Sequence, residues 1–322
     1  MFILGIGGSN HDFSSCIVKE GQVVSMIEEE RISRKKHGVG MGVELAAGHS
    51  IKENFKINQI DFSDIDLVVG NDILNKVMYK RLKNNVVLIN HHLAHAASTY
   101  YPSPFAEAAI LVADAVGSKQ LEKETWMYES LSCGIGRGAE IEFYHKVSGK
   151  NLTGTDYVEN SLGIFYSIIT QIIGFEEHQE GKTMGLAPYG SDRYYELLKQ
   201  HVRYQGEGKI EITSEDIREL LSYQLLIEKE NSFSIRADFA YAAQKILEEN
   251  LLEICSLVKR ETGLKNLCLA GGIALNSVAN YKIYQTRMFD NIFIQPAAGD
   301  NGSAIGSALH GYYAIKSNER YI

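Results

Sequence analysis

Two stretches of this chain follow one grammar, and no other feature constrains its fold as much. Residues 2–7, FILGIG, are a short apolar run closed by glycines. Residues 108–118, AAILVADAVGS, repeat such a run and end in a glycine-containing turn. Unbroken apolar runs of this length mark strands covered on both faces. The first leads into SSCIVKEGQVVSMIEEE, which reads as strand, Glu-Gly turn, strand. The second leads into TWMYESLS and IEFYHKV, candidate return strands. Helical patterns and further short strands follow in both halves. In the first half these are VELAAGHSIKENF (helix), DLVVG and VVLIN (strands), and HHLAHAASTYY, a helix ended by PSP. In the second half SLGIFYSIITQIIGF and RADFAYAAQKILEENLLEICSLVKRETG read as helices, with Gly263 as a C-cap. NLCLAGG is then a strand into a Gly-Gly turn, ALNSVANYKIYQ a helix, NIFIQP a strand and NGSAIGSALHGYYAI a closing helix.

A doubled pattern of this kind is the layout of the actin, sugar-kinase and heat-shock ATPase superfold: α/β, with two duplicated RNase-H-like lobes facing across a nucleotide cleft. The expected organisation of residues 1–322 is a single module. Residues 1–104 form the first lobe, joined by the closing helix at about 302–318, and residues 105–301 form the second. With 45% apolar and 22% charged residues a sizeable core is available. A net charge of −8 and a pI near 5.7 argue against a nucleic-acid surface, which needs a clustered basic footprint. No apolar run reaches the roughly 18 residues of a membrane span. The start, MFILGIGGSNHD, lacks a positive leader and reads as a first strand. The four scattered cysteines form no CxxC and read as buried residues in a reducing cytoplasm.

Three constellations carry chemistry. In NHHLAHAAS, His91 and His95 are four apart and share a helical face, while His92 points elsewhere. A paired face of this kind can bind a metal, although a polar helix face is the commoner use of a bare HxxxH. Asp114 ends the strand ILVAD. Asp300 lies between a strand and a helix, where a helix N-cap is its ordinary role. Two histidines with such aspartates suit iron, manganese or zinc. In LAGGIALNS, Gly271 and Gly272 would let a nucleotide approach the backbone, although a tight turn needs glycine too. In EGKTMGLAPYG, Lys182 sits between glycines in a loop and could reach a phosphate or stay in solvent. In GSNHDFSS, His11 and Asp12 follow the first strand. His11 has the pKa range of a general base, or is an ordinary turn histidine. Arg31, Arg34, Lys35 and Lys36 form a local basic cluster, either a solvated face or an anion site.

HDFSS…EEERISRKKHG, NHHLAHAAS, LVADAVG, EGKTMGLAPYG, GGIALN and PAAGDNGSAIGSAL occur in this order, and together they resemble the N-terminal domain of the NodU/CmcH O-carbamoyltransferases. The resemblance runs from the first strand to about Leu309. The domain is also similar to the enzyme that attaches threonylcarbamoyl to tRNA adenosine. The resemblance implies the two-lobed fold and a metal, iron first and manganese or zinc as alternatives, on His91, His95, Asp114 and Asp300. It implies ATP or carbamoyl-adenylate as the nucleotide, held by Gly271, Gly272 and Asn276. Lys36 and Lys182 then touch phosphate or carbamoyl oxygens, and His11 deprotonates the acceptor.

The implied reaction moves a carbamoyl group from carbamoyl-adenylate to a hydroxyl or amine of a small molecule, in natural-product biosynthesis. Two departures stand out. Ala115 and Ser118 occupy positions where the family's phosphate turn carries a glycine and an acid. The chain also stops where the family continues into the domain that makes carbamoyl-adenylate from carbamoyl phosphate and ATP. Either a separate adenylate-forming protein is a partner, or the chain uses a different donor, or the sequence is a piece of a longer protein; no nucleic-acid or membrane partner is expected, and a homodimer is permitted. The rival readings are a non-catalytic nucleotide-binding subunit or scaffold, and a tRNA-modifying threonylcarbamoyl transferase.

Overall fold

The computed structural model describes residues 1–39, 41, 48–80, 82 and 85–320. Two mixed sheets form the frame. The first contains β1 (Phe2–Gly7), β2 (Ser14–Lys19), β3 (Gln22–Glu28), β4 (Ile65–Asn71) and β5 (Val86–Ile89), in the order β3-β2-β1-β4-β5. β1, β2 and β3 are antiparallel neighbours, and β4 and β5 continue parallel to β1. Glu20 and Gly21 both have positive φ at the β2–β3 turn, the backbone that suits a tight hairpin.

The second sheet repeats this order. β6 (Glu107–Ala113) pairs antiparallel with β8 (Thr125–Arg137), and β8 with β9 (Glu140–Lys150). β12 (Asn266–Ala270) and β13 (Asn291–Ile294) then run parallel to β6. The short β7 (Lys119–Glu122) adds to β8, and β10 (Arg203–Tyr204) pairs with β11 (Ile210–Glu211) apart from the sheet. The fold is the two-lobed α/β architecture of the actin and sugar-kinase type, with its sheet duplicated.

Strand alternation sorts the core into layers. Leu4 and Ile6 of β1 face outward and pack with Ile51 of the helix His49–Asn58. Ile3 faces inward, in one cluster with Ala94, Ala304 and Ala308 and with Ile110 and Val112 of the second sheet. Ala109, Leu111 and Ala113 face the other way, toward the helices Leu162–Ile172 and Phe233–Thr262. Gly263 caps the latter with a left-handed backbone. All four cysteines are buried and unpaired.

Between the sheets lie two helices, His91–Tyr100 and Ser303–His310. The closing helix packs on β1, β2 and β4 and against the histidine helix, which itself packs on β6 and β12. Small residues permit this. A Cβ on Gly306 would lie 1.7 Å from the Ala94 carbonyl oxygen, and one on Gly5 would lie 2.0 Å from that of Ala304. Arg320 ties down the far end of the histidine helix through hydrogen bonds to the carbonyls of Tyr100, Tyr101, Ser103 and Phe105.

One expectation needs correction, and another falls partly outside the described residues. Lys182 is on a helix, Glu180–Leu186, not in a loop. Packing against Leu162–Ile172 and Phe233–Thr262 overrides the weak helix propensity of its glycines, and buried Thr183 hydrogen-bonds Thr170 at 2.8 Å. The helix expected across VELAAGHSIKENF is described from His49 only, the residues 42–47 lying outside the described ones.

The closest helix contact gives a prediction. Alanine is the better helix former by about 1 kcal/mol. At Gly306 it meets backbone, so Gly306→Ala should instead destabilise by ~1–3 kcal/mol. Urea unfolding measures this, and an unchanged or raised midpoint would refute the tight crossing.

Candidate functional site

The histidine helix starts beside the end of β5. Asn90 caps it, accepting from the Leu93 N–H at 3.0 Å. The free N–H of His91 is shared between Ser118 Oγ (2.8 Å) and Asp72 Oδ1 (3.1 Å). Ser118 also donates to Asp72 at 2.6 Å, so an acid is linked to the turn through this serine. His91 and His95, one turn apart, present Nε2 atoms 3.0 Å from each other.

Asp114 follows the last residue of β6. Its Oδ1 accepts from the N–H groups of Ala115 (2.8 Å) and Gly272 (3.1 Å), which turns Oδ2 to the histidines. That oxygen lies 3.1 Å from His91 Nε2 and 3.3 Å from His95 Nε2. Asp300 opens the short 3-10 turn before the closing helix, and the N-cap positions of the turn and the helix fall on Gly299 and Gly302 rather than on Asp300. Its Oδ1 lies 3.4 Å from His91 and 3.5 Å from His95. The four donor atoms lie within 4.8 Å of one another. The structure thus brings together all four residues of the expected metal set.

Burial makes their charges interdependent. Desolvation alone would lower the His91 pKa, but the charge of Asp300 and the bond to Asp114 hold it up to about 10. His95 is raised as well: Asp114 and Asp300 outweigh burial and the repulsion of His91. Burial opposes ionisation of the carboxylates, yet the two rings hold Asp114 and Asp300 below the usual range. Asp300 keeps a partly exposed edge, and with both rings neutral the four donors could hold a cation. Two imidazoles and two carboxylates suit a divalent transition metal, and Nε2 ligation puts each ring's proton on Nδ1. Both Nδ1 atoms are buried without a hydrogen-bond partner among the described residues. His92 turns away to Ser132 Oγ at 2.7 Å, and burial keeps it neutral.

The other expected residues are placed differently. His11 is near enough to feel the charges of Asp300 and Asp114. Burial would lower its pKa, but the bond to Asp12 and these charges raise it to about 9. Gly271 takes φ +91°, which suits glycine, and an added Cβ would strike the Ala113 carbonyl at 2.3 Å. The Gly-Gly turn therefore lies directly against the end of β6. Asn276 is buried, its amide occupied by Gln244 and by capping the helix Ser277–Gln285. Lys36 and Lys182 are exposed, and Lys182 bonds Gln179 at 2.8 Å.

Sequence reasoning missed a second histidine group. His37 Nδ1 lies 2.9 Å from Asp12 Oδ1, and the His178 ring lies 4.2 Å from that of His11 and 5.2 Å from that of His37. A cavity of about 190 Å³ adjoins them, lined among others by Asp12, Glu30, His37, Leu275 and Asn301. Positions 11, 37 and 178 share no spacing that a sequence could advertise.

Comparison with known proteins gives the frame. Residues 70–309 match the family model described as "Carbamoyltransferase N-terminus". An uncharacterised protein of Synechocystis is 32% identical over 99% of this chain and 58% of its own. The nodulation protein NolNO of Sinorhizobium fredii is 26% identical over 93% of this chain and 46% of its own. The chain thus spans about half the length of these curated relatives. The tRNA N6-adenosine threonylcarbamoyltransferase of Fervidobacterium nodosum is 24% identical over 99% of this chain and 95% of its own. Among solved structures, phosphate- and nucleotide-bound HypF aligns with a TM-score of 0.64 at 13% identity, covering 98% of this chain and 56% of that one. The ADPNP-bound activator of 2-hydroxyisocaproyl-CoA dehydratase from Clostridium difficile aligns with 0.57 at 14%, covering 98% and 96%. These likenesses are of fold. The family model spans most of the chain, and the chain belongs to the carbamoyltransferase N-terminal family.

Proposed function

We propose that this module transfers a carbamoyl group from carbamoyl-adenylate to a hydroxyl or amine of a small-molecule acceptor. The observation that carries the reading is the convergence of His91, His95, Asp114 and Asp300 from both halves of the fold, with His11 close by. These four residues would hold a divalent metal, iron first, with manganese or zinc as alternatives. Bound there, it supplies positive charge against the adenylate's phosphate oxygens. The Gly271–Gly272 turn would receive the adenosine part, with Asn276 keeping the turn in shape through its cap and Gln244. Lys36 and Lys182 would meet phosphate or carbamoyl oxygens at the mouth of the cleft. Nucleotides bound to HypF and to the dehydratase activator support a nucleotide in the shared cleft.

In this reading the neutral form of His11, whose share grows as pH rises toward about 9, takes the acceptor's proton as its oxygen or nitrogen adds to the carbamoyl carbon. The bond from that carbon to the phosphate oxygen breaks, AMP leaves, and the proton stays on His11. Making the adenylate from carbamoyl phosphate and ATP falls to another catalytic unit. The nodulation relatives favour a natural-product acceptor. The near full-length match to the threonylcarbamoyltransferase favours tRNA as a second reading, against which stands the net charge of −8.

Given synthetic carbamoyl-adenylate, ferrous iron and a panel of polyol and amine acceptors, the protein should release AMP with acceptor dependence. His11→Ala should lose about 10²–10⁴-fold of that rate. Near-normal release would remove His11 from the reaction, and activity only with tRNA would select the second reading. The raised histidine values give a further expectation. Their folded pKa values, about 9 for His11 and about 10 for His91, exceed the unfolded 6.5, so the folded state holds more protons in between. In chelator-treated protein that stabilisation is complete below pH 6.5 and is lost as pH rises through about 9 to 10. A melting temperature flat across this window would contradict the charge account.

A further inference from the structure

The second histidine group has a specific geometry. Asp12 accepts on both oxygens, from His11 Nδ1 at 2.9 Å on Oδ2 and from His37 Nδ1 at 2.9 Å on Oδ1. Its carboxyl is held ionised: burial opposes this, but the bonds from His11 and His37 prevail. An ionised carboxylate can only accept, so each Nδ1 must carry the hydrogen. A neutral His11 is thereby fixed as the Nδ1–H tautomer, with its lone pair on Nε2. The hydrogen bond that the His11 ring makes among the described residues is the one from Nδ1 to Asp12.

The surroundings hold the clamp rigid. The His37 N–H donates to Glu30 at 2.7 Å, and the Asp12 N–H donates to the His37 carbonyl at 2.7 Å. The His178 ring, from the other half of the fold, lies over both imidazoles. Asp12, His37 and His178 have φ of 54°, 56° and 62°. Left-handed backbone is uncommon away from glycine and costs of order 1–3 kcal/mol per residue, and such strain collects at functional sites. Three strained residues meet here around one carboxylate.

We propose that Asp12 and His37 are positioning residues, a carboxylate held between two imidazoles that fixes the tautomer and aim of His11. The proposal rests on the reading of His11 as base only for its effect on turnover, since the tautomer is a property of the protein alone. Comparable carboxylate–histidine pairs lose up to about 10⁴-fold in rate when the tautomer is wrong. The spacing does not reveal His37, because it reaches Asp12 across a left-handed turn that a lysine-rich segment gives no reason to expect.

The experiment is ¹⁵N NMR of the imidazoles in the full chain, read on the alkaline plateau of each histidine. AMP release from synthetic carbamoyl-adenylate, with ferrous iron and the same panel of polyol and amine acceptors, is measured on the same samples. The wild type should show His11 as Nδ1–H. Asp12→Ala should switch it to the Nε2–H form that free imidazole prefers. It should also lower AMP release about 10²–10⁴-fold with bound metal unchanged. His37→Phe should keep the Nδ1–H form with a smaller loss. If Asp12→Ala fails to fold, Asp12→Asn serves, since asparagine tolerates the same backbone but offers one acceptor for two N–H donors. His11 and His37 cannot then both remain Nδ1–H. An Nε2–H His11 in the wild type overturns the clamp, as does an unchanged tautomer in Asp12→Ala, or in both histidines of Asp12→Asn. A tautomer switch with unchanged release overturns its positioning role. No AMP release from any sample, with the switch intact, refutes the transfer reading and leaves the clamp standing.

Discussion

The contact between two helices in the middle layer fixes everything else. Gly306 lies so close to Ala94 that no side chain fits between them, and the same closing helix rests on the glycines of β1. His91 stands just before Ala94 on one helix, and Asp300 just before the other. Closing that contact therefore brings an aspartate from one end of the chain to histidines near residue 90. β6 supplies Asp114 from the second sheet. The cluster exists only if both sheets, both helices and their order are in place.

Much of the fold was legible in the sequence because its signals are local. Buried strands announce themselves as short apolar runs, and the Glu20–Gly21 hairpin and the Gly263 cap as turn chemistry. The repeat of the sheet order was readable from the order of turns. Lys182 went astray because its glycines suggest a loop, while burial of Thr183 against Thr170 makes a helix. For the site, four-residue spacing is enough to put His91 and His95 on one face. Strand-end positions made Asp114 and Asp300 candidates and the resemblance implied their meeting with the histidines, since partners as far apart in sequence as His91 and Asp300 leave no periodic trace. His37 and His178 were invisible for the same reason.

The site also shows what the fold tolerates for chemistry. Four ionisable groups lie together, and the histidines and the aspartates hold one another in charged form. Breaking such a set strands a buried charge, so these residues are costly to alter singly. The cap positions beside Asp300 fall on Gly299 and Gly302, which leaves its carboxylate for the cluster. Left-handed backbone at Asp12, His37 and His178 is a second concession, made beside the same cleft. A chain selected for stability alone would have little use for either.

The central claim is that donors from both halves of the fold serve one metal. Its most direct test is metal content after reconstitution with ferrous iron under argon, for the wild type and for His91→Ala, His95→Ala, Asp114→Asn and Asp300→Asn. The account predicts about one iron per wild-type chain, the stoichiometry of one compact site, and loss of it in variants from either half. Full occupancy in Asp300→Asn together with His91→Ala, in folded protein, would contradict it.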